Sequence, residues 1–252
     1  MSISESLKKE IEKRRSGDIG YQLLTDEEIL KEIEIEREAQ NKELTKKSQE
    51  IKKIKADSRK SGSRSCKPAG ECAEARLVHW NEFYNDVWKI ERDLRNIPIP
   101  VPTKDFNWLI VMLKGMTAGK IIKKMKEYGI EVFGDDDLSG LRSVRKPNQD
   151  YAVLVRDRIE ADKELKNKSG EDLKENDINC ITLEERLMLE LFYFWKTKKH
   201  LDHNNWTYCA GSRCSGGDVP CVGWDSASGE VAVYWYRTDD RDPVIRARAV
   251  VS

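Results

Sequence analysis

Histidine and cysteine side chains cluster in the last quarter of the chain, where their spacing could support metal binding. His200, His203, Cys209, Cys214 and Cys221 lie within 22 residues of one another, and imidazole and thiolate groups are the ligands that Zn²⁺ prefers. The cluster contains no Cys-x2-Cys pair, which is the feature that makes a zinc motif specific. A zinc site on this cluster is therefore an alternative hypothesis and not the leading one.

The sequence contains weaker signals for catalysis than for metal binding. Any cysteine can be paired on paper with one of the three histidines, but no surrounding motif defines a nucleophile and its base. The glycine-rich segment 211–217 holds a single arginine and is not followed by a P-loop lysine, so it does not match a nucleotide-binding loop. The sequence therefore predicts a protein that is not an enzyme and carries no cofactor.

Composition narrows the class of protein further. Lys and Arg total 45, as do Asp and Glu, so no net charge would recruit nucleic acid. The start of the sequence lacks the apolar run of a secretory signal, and no segment reaches the ~20 apolar residues of a membrane helix. Six cysteines in 252 residues do not form a disulfide framework. We expect a cytoplasmic protein with reduced thiols and no membrane insertion.

Residues 1–72 have the composition of a charged helical arm followed by a flexible linker. Thr25-Asp-Glu-Glu28 has the spacing of a capping box that opens a helix to about Ala56. The sparse apolar positions of this helix fit either a solvated arm or a short coiled coil, through which the protein would self-associate. Residues 58–70 read as a basic linker. With the zinc cluster, this linker defines the alternative of a zinc- or nucleic-acid-binding regulatory protein.

An aromatic helix and a proline-rich connector are predicted at 73–104. Leu77, Trp80, Tyr84 and Val87 recur at helical spacing, which predicts a helix over 73–96 with one buried face. Prolines alternate with apolar residues through Pro102, and each proline disfavours helix at the residue before it. The connector therefore marks a boundary before a folded domain at 105–252.

The domain predicted at 105–252 mixes helices and strands, which gives an α+β fold class. The predicted elements are a helix at 117–128, strands at 130–133 and 151–155, a polar helical stretch to Asn176, and a core helix from Thr182 through Lys199. The core helix begins with a second capping box, Thr182-Leu-Glu-Glu185.

Two strands, Val219–Asp225 and Glu230–Tyr236, are predicted to pair across a short turn. Strand alternation gives one face of large apolar residues, which are Val222, Trp224, Val231, Val233 and Trp235. The two tryptophans are expected to anchor this inner face. The opposite face carries a mixed set that is unusual for a solvated sheet, namely Cys221, Gly223, Asp225, Ala232 and Tyr234.

Residue usage also changes in the tail. Lysine stops at Lys199, glutamine at Gln149, methionine at Met188 and asparagine at Asn205. The chain is otherwise rich in lysine, so this loss indicates that something other than general surface chemistry selected the tail.

Several segments carry a resemblance to a known family. They are Thr182–Glu190, His200–Asp202, Thr207–Arg213, Val219–Pro220, Trp235–Tyr236 and Arg246–Ser252. These segments resemble the variable proteins of diversity-generating retroelements, of the type encoded in candidate bacterial phyla. The resemblance covers about 105–252 and excludes the first 100 residues.

The resemblance implies a C-type-lectin-like fold that displays a ligand-binding surface. In that family a reverse transcriptase rewrites adenine-rich codons near the end of the gene, here at about 206–252. Asn codons can then become Cys, Gly, Asp, Ala, Tyr or Arg, but not Lys, Gln, Met, Glu or Trp. The positions predicted to vary and to contact ligand are Cys214, Asp218, Cys221, Gly223, Asp225, Ala232, Tyr234, Arg237, Asp239, Asp240 and Asp242. The leading hypothesis is therefore non-enzymatic binding of a protein or surface ligand.

Overall fold

The structure is a computed structural model that describes residues 73–103, 105–134, 138 and 140–252, together with Thr25, Glu28 and Lys31. The Thr25 amide donates to Glu28 Oε2 at 2.8 Å and the Glu28 amide to Thr25 Oγ1 at 3.4 Å, the reciprocal pair of a capping box. The rest of the predicted arm, its self-association and the basic linker at 58–70 lie outside the described residues. From residue 73 onward the described chain belongs to one unit, Pro68–Ser252.

Helices and strands alternate along this unit. The helices are α1 (Ala73–Trp88), α2 (Ala118–Glu127), α3 (Gly170–Glu175) and α4 (Leu183–Thr197), with a 3-10 turn at Lys163–Leu165. The strands are β1 (Phe106–Met112), β2 (Val132–Phe133), β3 (Arg142–Ser143), β4 (Tyr151–Arg156), β5 (Trp206–Tyr208), β6 (Ser212–Arg213), β7 (Val219–Asp225), β8 (Glu230–Tyr236) and β9 (Ile245–Ala247). No helix among these is long and apolar enough to cross a membrane.

Three sheets organise the strands. A five-stranded sheet has the order β2-β8-β7-β5-β9, in which β2–β8 and β5–β9 are parallel and the other pairs antiparallel. Strands β1 and β4 form an antiparallel pair, as do β3 and β6. The domain is thus a mixed α/β structure with a mixed sheet, in agreement with the predicted α+β class.

Helix α4 lies at the centre of the core. Its predicted capping box is present: the Glu185 amide donates to Thr182 Oγ1 at 3.2 Å, and the Thr182 amide donates to Glu185 Oε2 at 2.9 Å. These bonds satisfy two amide groups that the first helical turn leaves unpaired. The helix ends at Thr197, and the next residue, Lys198, adopts a left-handed conformation with φ 59°.

The aromatic helix α1 packs directly on α4. Trp80 is almost fully buried and stacks on Phe192 with ring centroids 4.2 Å apart. The connector contributes Leu94 and Ile97 to the same core cluster. The segment predicted at 73–104 therefore shares one hydrophobic core with the segment predicted as the domain.

Two predicted helices are shorter in the structure. The helix from 73 ends at Trp88 because Lys89 turns to a positive φ of 56°, and Ile90 then donates to the carbonyl of Tyr84. Most of the polar stretch before Asn176 is not helical: Asp162 and Asn167 donate their amides to carbonyl groups of strand β9. Hydrogen bonds to a distant strand thus override the local helical preference of this segment.

A buried ionic network joins α4 to the C-terminal tail. Arg186 contacts Glu190 at 2.7 Å and Asp202 at 2.8 Å, and Arg248 contacts Asp202 at 2.7 Å. All four side chains are at most 1% exposed. Asp202 and Arg248 belong to two of the segments that carry the family resemblance, so these segments meet in the scaffold.

Candidate ligand-contact surface

Strands β7 and β8 pair with each other, as predicted. Val222 lies opposite Val233, Trp224 opposite Val231, and Asp225 opposite Glu230. The three valines are buried in the main core, so the apolar face is the inner face of the sheet, as predicted.

The tryptophans of the inner face differ from expectation. Trp224 and Trp235 are only partly buried. Trp224 stacks on the imidazole of His200, with centroids 3.6 Å apart and planes 4° from parallel. The two tryptophans therefore lie at the rim of the inner face. The valines between them, and not the tryptophans, are the central core residues of this face.

The opposite face of the sheet is only half open. Residues near β9 and one end of β7 form a second buried cluster, which includes Leu165, Leu173, Tyr208, Val219 and Cys221. Cys221 is 0% exposed, and this burial raises the pKa of its thiol well above the ordinary value. Its assignment as a ligand-contact position is corrected: the segments around the 3-10 turn and α3 cover it.

The open half of the face carries a row of three aromatic side chains. Phe133 on β2, Tyr234 on β8 and Trp206 on β5 form this aromatic row, with ring centroids 5.9 Å apart for the first pair and 5.3 Å for the second. Phe133 is 50% exposed and Tyr234 41%, and Trp206 is partly buried. Of the three, only Tyr234 was predicted as a contact residue.

Small residues lie beneath the aromatic row. Gly223 and Ala232 are opposite each other in the register, and both are buried. A Cβ on Gly223 would lie 2.7 Å from the ring of Trp206, closer than such atoms pack. These two predicted positions therefore do not present side chains to a ligand. Because they are small, the aromatic rings can pack close to the sheet.

An acidic pair borders the aromatic row at the β7–β8 turn. Asp225 and Glu230 are cross-strand neighbours on the same face as Gly223 and Ala232. The Ala227 amide donates to Asp225 Oδ1 at 2.9 Å, and this hydrogen bond holds the pKa of Asp225 below its usual value. The carboxylate therefore stays charged at neutral pH, and the border of the row is negative.

The predicted contacts after β8 are largely paired with one another. Asp239 Oδ1 accepts from Arg237 Nε at 3.1 Å, and Asp240 Oδ2 accepts from the Arg237 amide at 2.9 Å. Asp242 Oδ1 accepts from the Val244 amide at 2.8 Å. The side chain of Arg237 is 73% exposed, so this loop offers a solvent-facing group whose charge is already balanced.

The two remaining predicted positions lie in the turn between β6 and β7. The Cys214 amide donates to the carbonyl of Asp218 at 2.8 Å, and both residues are partly buried. Cys214 lines a separate cleft with Arg142 and Arg213. The structure thus divides the predicted positions among the aromatic row, its acidic border, the β8–β9 loop and this cleft.

The proposed zinc ligands do not converge. His200 is engaged by Glu190, at 2.9 Å, and by the ring of Trp224, while His203 is exposed with its Nε2 3.0 Å from the carbonyl of His200. Burial raises the pKa of the Cys209 thiol, which opposes the thiolate form that a metal needs. Within the described part of the chain no group of three or more His, Cys, Asp or Glu side chains is arranged to hold a metal.

Phe133 and Trp206 were not found by sequence reasoning because their strands are very short. Strand β2 has two residues and β5 three, too few for a period-two pattern. Phe133 also reaches the row through a parallel pairing with β8, almost 100 positions later in the chain. The one sequence signal for Trp206 was its position directly before the resembling segment Thr207–Arg213.

No family model, curated protein or solved structure matches this chain. The residues and contacts described above are thus the grounds for a functional conclusion.

Proposed function

We propose that this protein is a non-enzymatic ligand-binding protein that displays its contact surface on the outer face of the five-stranded sheet. The observation that carries the proposal is the aromatic row, in which Phe133 and Tyr234 are about half exposed while their strands are fixed in the sheet. Large aromatic side chains on a rigid surface are typical of interaction sites, because they bury much area at little cost in side-chain entropy.

We propose further that the scaffold is C-type-lectin-like and that the tail is the variable region of a diversity-generating retroelement. Support comes from where the resembling segments lie. They supply the capping box of α4 and the buried pair Asp202–Arg248, whereas Tyr234 and Arg237 lie outside them and face solvent. Tyr234 and Arg237 are therefore separate from the framework contacts, whereas the candidate positions Cys221, Gly223 and Ala232 are buried in the sheet.

The chemistry of the surface favours a protein ligand that presents apolar and basic side chains. The rings of the aromatic row can pack against apolar groups and can face cations. Asp225 and Glu230 at the border add negative charge without an ion pair to a described cation. A Lys or Arg side chain that lies along the row would contact both features.

The state of the cysteine thiols supports a non-catalytic function. Burial raises the pKa of Cys209 and Cys221, and raises that of Cys180 to about 12. A nucleophilic cysteine needs the opposite shift. These thiols act as small apolar groups of the core.

Selection of peptide ligands tests the contact surface. Peptides from a random display library would be enriched on the immobilised full chain and ranked by affinity for the wild type, Tyr234→Ala and the control Ile159→Ala. Ile159 is 48% exposed and lies outside the aromatic row. We expect the enriched peptides to lose about tenfold or more in affinity for Tyr234→Ala, as at a binding hot spot. Equal affinity for all three proteins would show that the row is not the contact surface.

Diversification has a separate genomic test. The proposal requires a reverse-transcriptase gene near this gene and a near-repeat of the 3′ end that differs from it at adenines. Absence of both from the complete genome would remove the retroelement assignment. The peptide experiment would still decide whether the row binds ligands.

A further inference from the structure

Two arginines lie directly opposite one another in the short β3–β6 pair. The register places Arg142 against Arg213, and side chains of directly opposed residues point to the same side of a sheet. Like charges at such positions destabilise the pair. A negative charge between the two arginines would offset this repulsion.

The protein itself supplies little of that charge. Among the described residues, the Arg213 side chain donates only to the carbonyl oxygens of Ala210 and Ser212, both at 2.7 Å. Arg142 is exposed and forms no ion pair with a described carboxylate. Burial lowers the pKa of Arg213, as expected for a guanidinium that has lost water without gaining an anion.

Both arginines line a cleft of about 610 Å³, the basic cleft. Lys174 is a third cation in its wall, and Asp177 is the one carboxylate among the lining residues. Parts of the wall are formed by small residues, which include Gly170, Ala210 and Gly211. The cleft is therefore positive and open to a ligand larger than a water molecule.

We infer that the basic cleft binds the phosphate or sulfate group of a small monoester, held between Arg142 and Arg213. Guanidinium groups bind such oxyanions through paired, charge-assisted hydrogen bonds. Arg213 has five N–H donors, and the two backbone carbonyls engage only one of its nitrogens. An oxyanion between the arginines would relieve their repulsion and use the free donors. The cleft shares no residue with the aromatic row, so oxyanion binding can be tested separately from ligand binding at the row.

Isothermal titration of the full chain at constant ionic strength tests this site. The probes are inorganic phosphate and glycerol 2-phosphate, with glycerol as the matched neutral compound and chloride to balance ionic strength. Arg142→Gln is compared with Lys120→Gln, which removes the same charge from the exposed surface of α2 outside the cleft. We expect both phosphates to bind the wild type and Lys120→Gln, and Arg142→Gln to lose about tenfold or more in affinity.

Thermal unfolding gives a second readout that does not depend on detecting the ligand. Without phosphate, Arg142→Gln should unfold at the same or a higher temperature than the wild type, because one of two opposed charges is gone. Phosphate should raise the unfolding temperature of the wild type and have a smaller effect on Arg142→Gln. The inference is overturned if phosphate has no effect beyond chloride, or if Arg142→Gln and Lys120→Gln respond alike.

Discussion

Trp206 lies over Gly223 so closely that a Cβ at residue 223 would stand 2.7 Å from the indole ring. Position 223 is thus coupled to the aromatic row, although its own side chain would not be exposed. Any residue other than glycine must displace Trp206, whose ring centroid is 5.3 Å from that of Tyr234. If codons for this position are rewritten, the main effect is to move a ring of the proposed contact surface.

Substitution of Gly223 tests this coupling. In Gly223→Ala the Trp206 ring must rotate outward, so we expect its indole N–H resonance to shift and the exposure of the ring to increase. The measurement is a two-dimensional NMR spectrum, with the Trp206 signal assigned from Trp206→Phe. Gly216→Ala is the matched control, because a Cβ there meets only Cys214 Sγ at 3.6 Å, an ordinary contact. An unchanged Trp206 resonance in Gly223→Ala would contradict the coupling.

The long elements of the tail were predictable because their sequence patterns are local. Strands β7 and β8 span the predicted residues, and alternation assigns the valine face correctly. The cover over Cys221 was not predictable. It comes from Leu165 and Leu173, which lie about 50 residues earlier in the chain. The segment of Leu165 is held by hydrogen bonds to the three-residue strand β9, and that of Leu173 by the Glu171 amide, which donates to the carbonyl of Thr238.

Charged residues were the second point at which sequence patterns failed. Arg186 and Arg248 are almost fully buried, although arginine is among the residues least often buried. Only one contact of this network, Arg186 with Glu190, joins residues four apart on one helix. The contacts to Asp202 join distant parts of the chain, so the spacing of residues in the sequence could not reveal them. The opposition of Arg142 and Arg213 is likewise visible only in the three-dimensional register.

The tryptophan that stabilises the fold most should be Trp80 rather than Trp224. Trp80 is 1% exposed, stacks on Phe192 and donates its indole N–H to the carbonyl of Leu109 at 3.0 Å. Trp80→Ala should lower the free energy of unfolding by ~3–5 kcal/mol, as core aromatic truncations do. Trp224→Ala should cost clearly less, because its ring is partly exposed. Denaturant unfolding of both variants measures the difference, and the reverse order would be incompatible with this core.

Removal of Arg248 should be strongly destabilising. Its guanidinium contacts Asp202 at 2.7 Å, and it also donates to the carbonyls of Arg158 and Ile159. Arg248→Met leaves these buried acceptors with fewer donors, and breaking a buried pair in this way costs ~3–5 kcal/mol. Arg237→Met is the control, since that arginine is paired with Asp239 at the surface and should unfold close to the wild type. Similar midpoints for the two variants in urea would refute the structural role of Arg248.

The same network predicts a particular dependence of stability on pH. Burial acts to raise the pKa of Asp202, but the charges of Arg248 and Arg186 outweigh it and hold the pKa below its usual value. The unfolded chain, in which an aspartate titrates at about 3.9, therefore takes up the proton first as pH falls. The stabilisation from Asp202 is complete well above that pH and is lost as pH falls through the folded-state pKa.

Asp202→Asn isolates this contribution, because the amide cannot be protonated in this range. The variant should be much less stable than the wild type at neutral pH, and the difference in unfolding free energy should narrow as pH falls below about 4. Other carboxylates, such as Asp172 with its pKa lowered by Arg241, are present in both proteins and cancel in that difference. Urea unfolding across the acid range provides the measurement. A difference that stays constant with pH would mean that the Asp202 carboxylate does not titrate with folding.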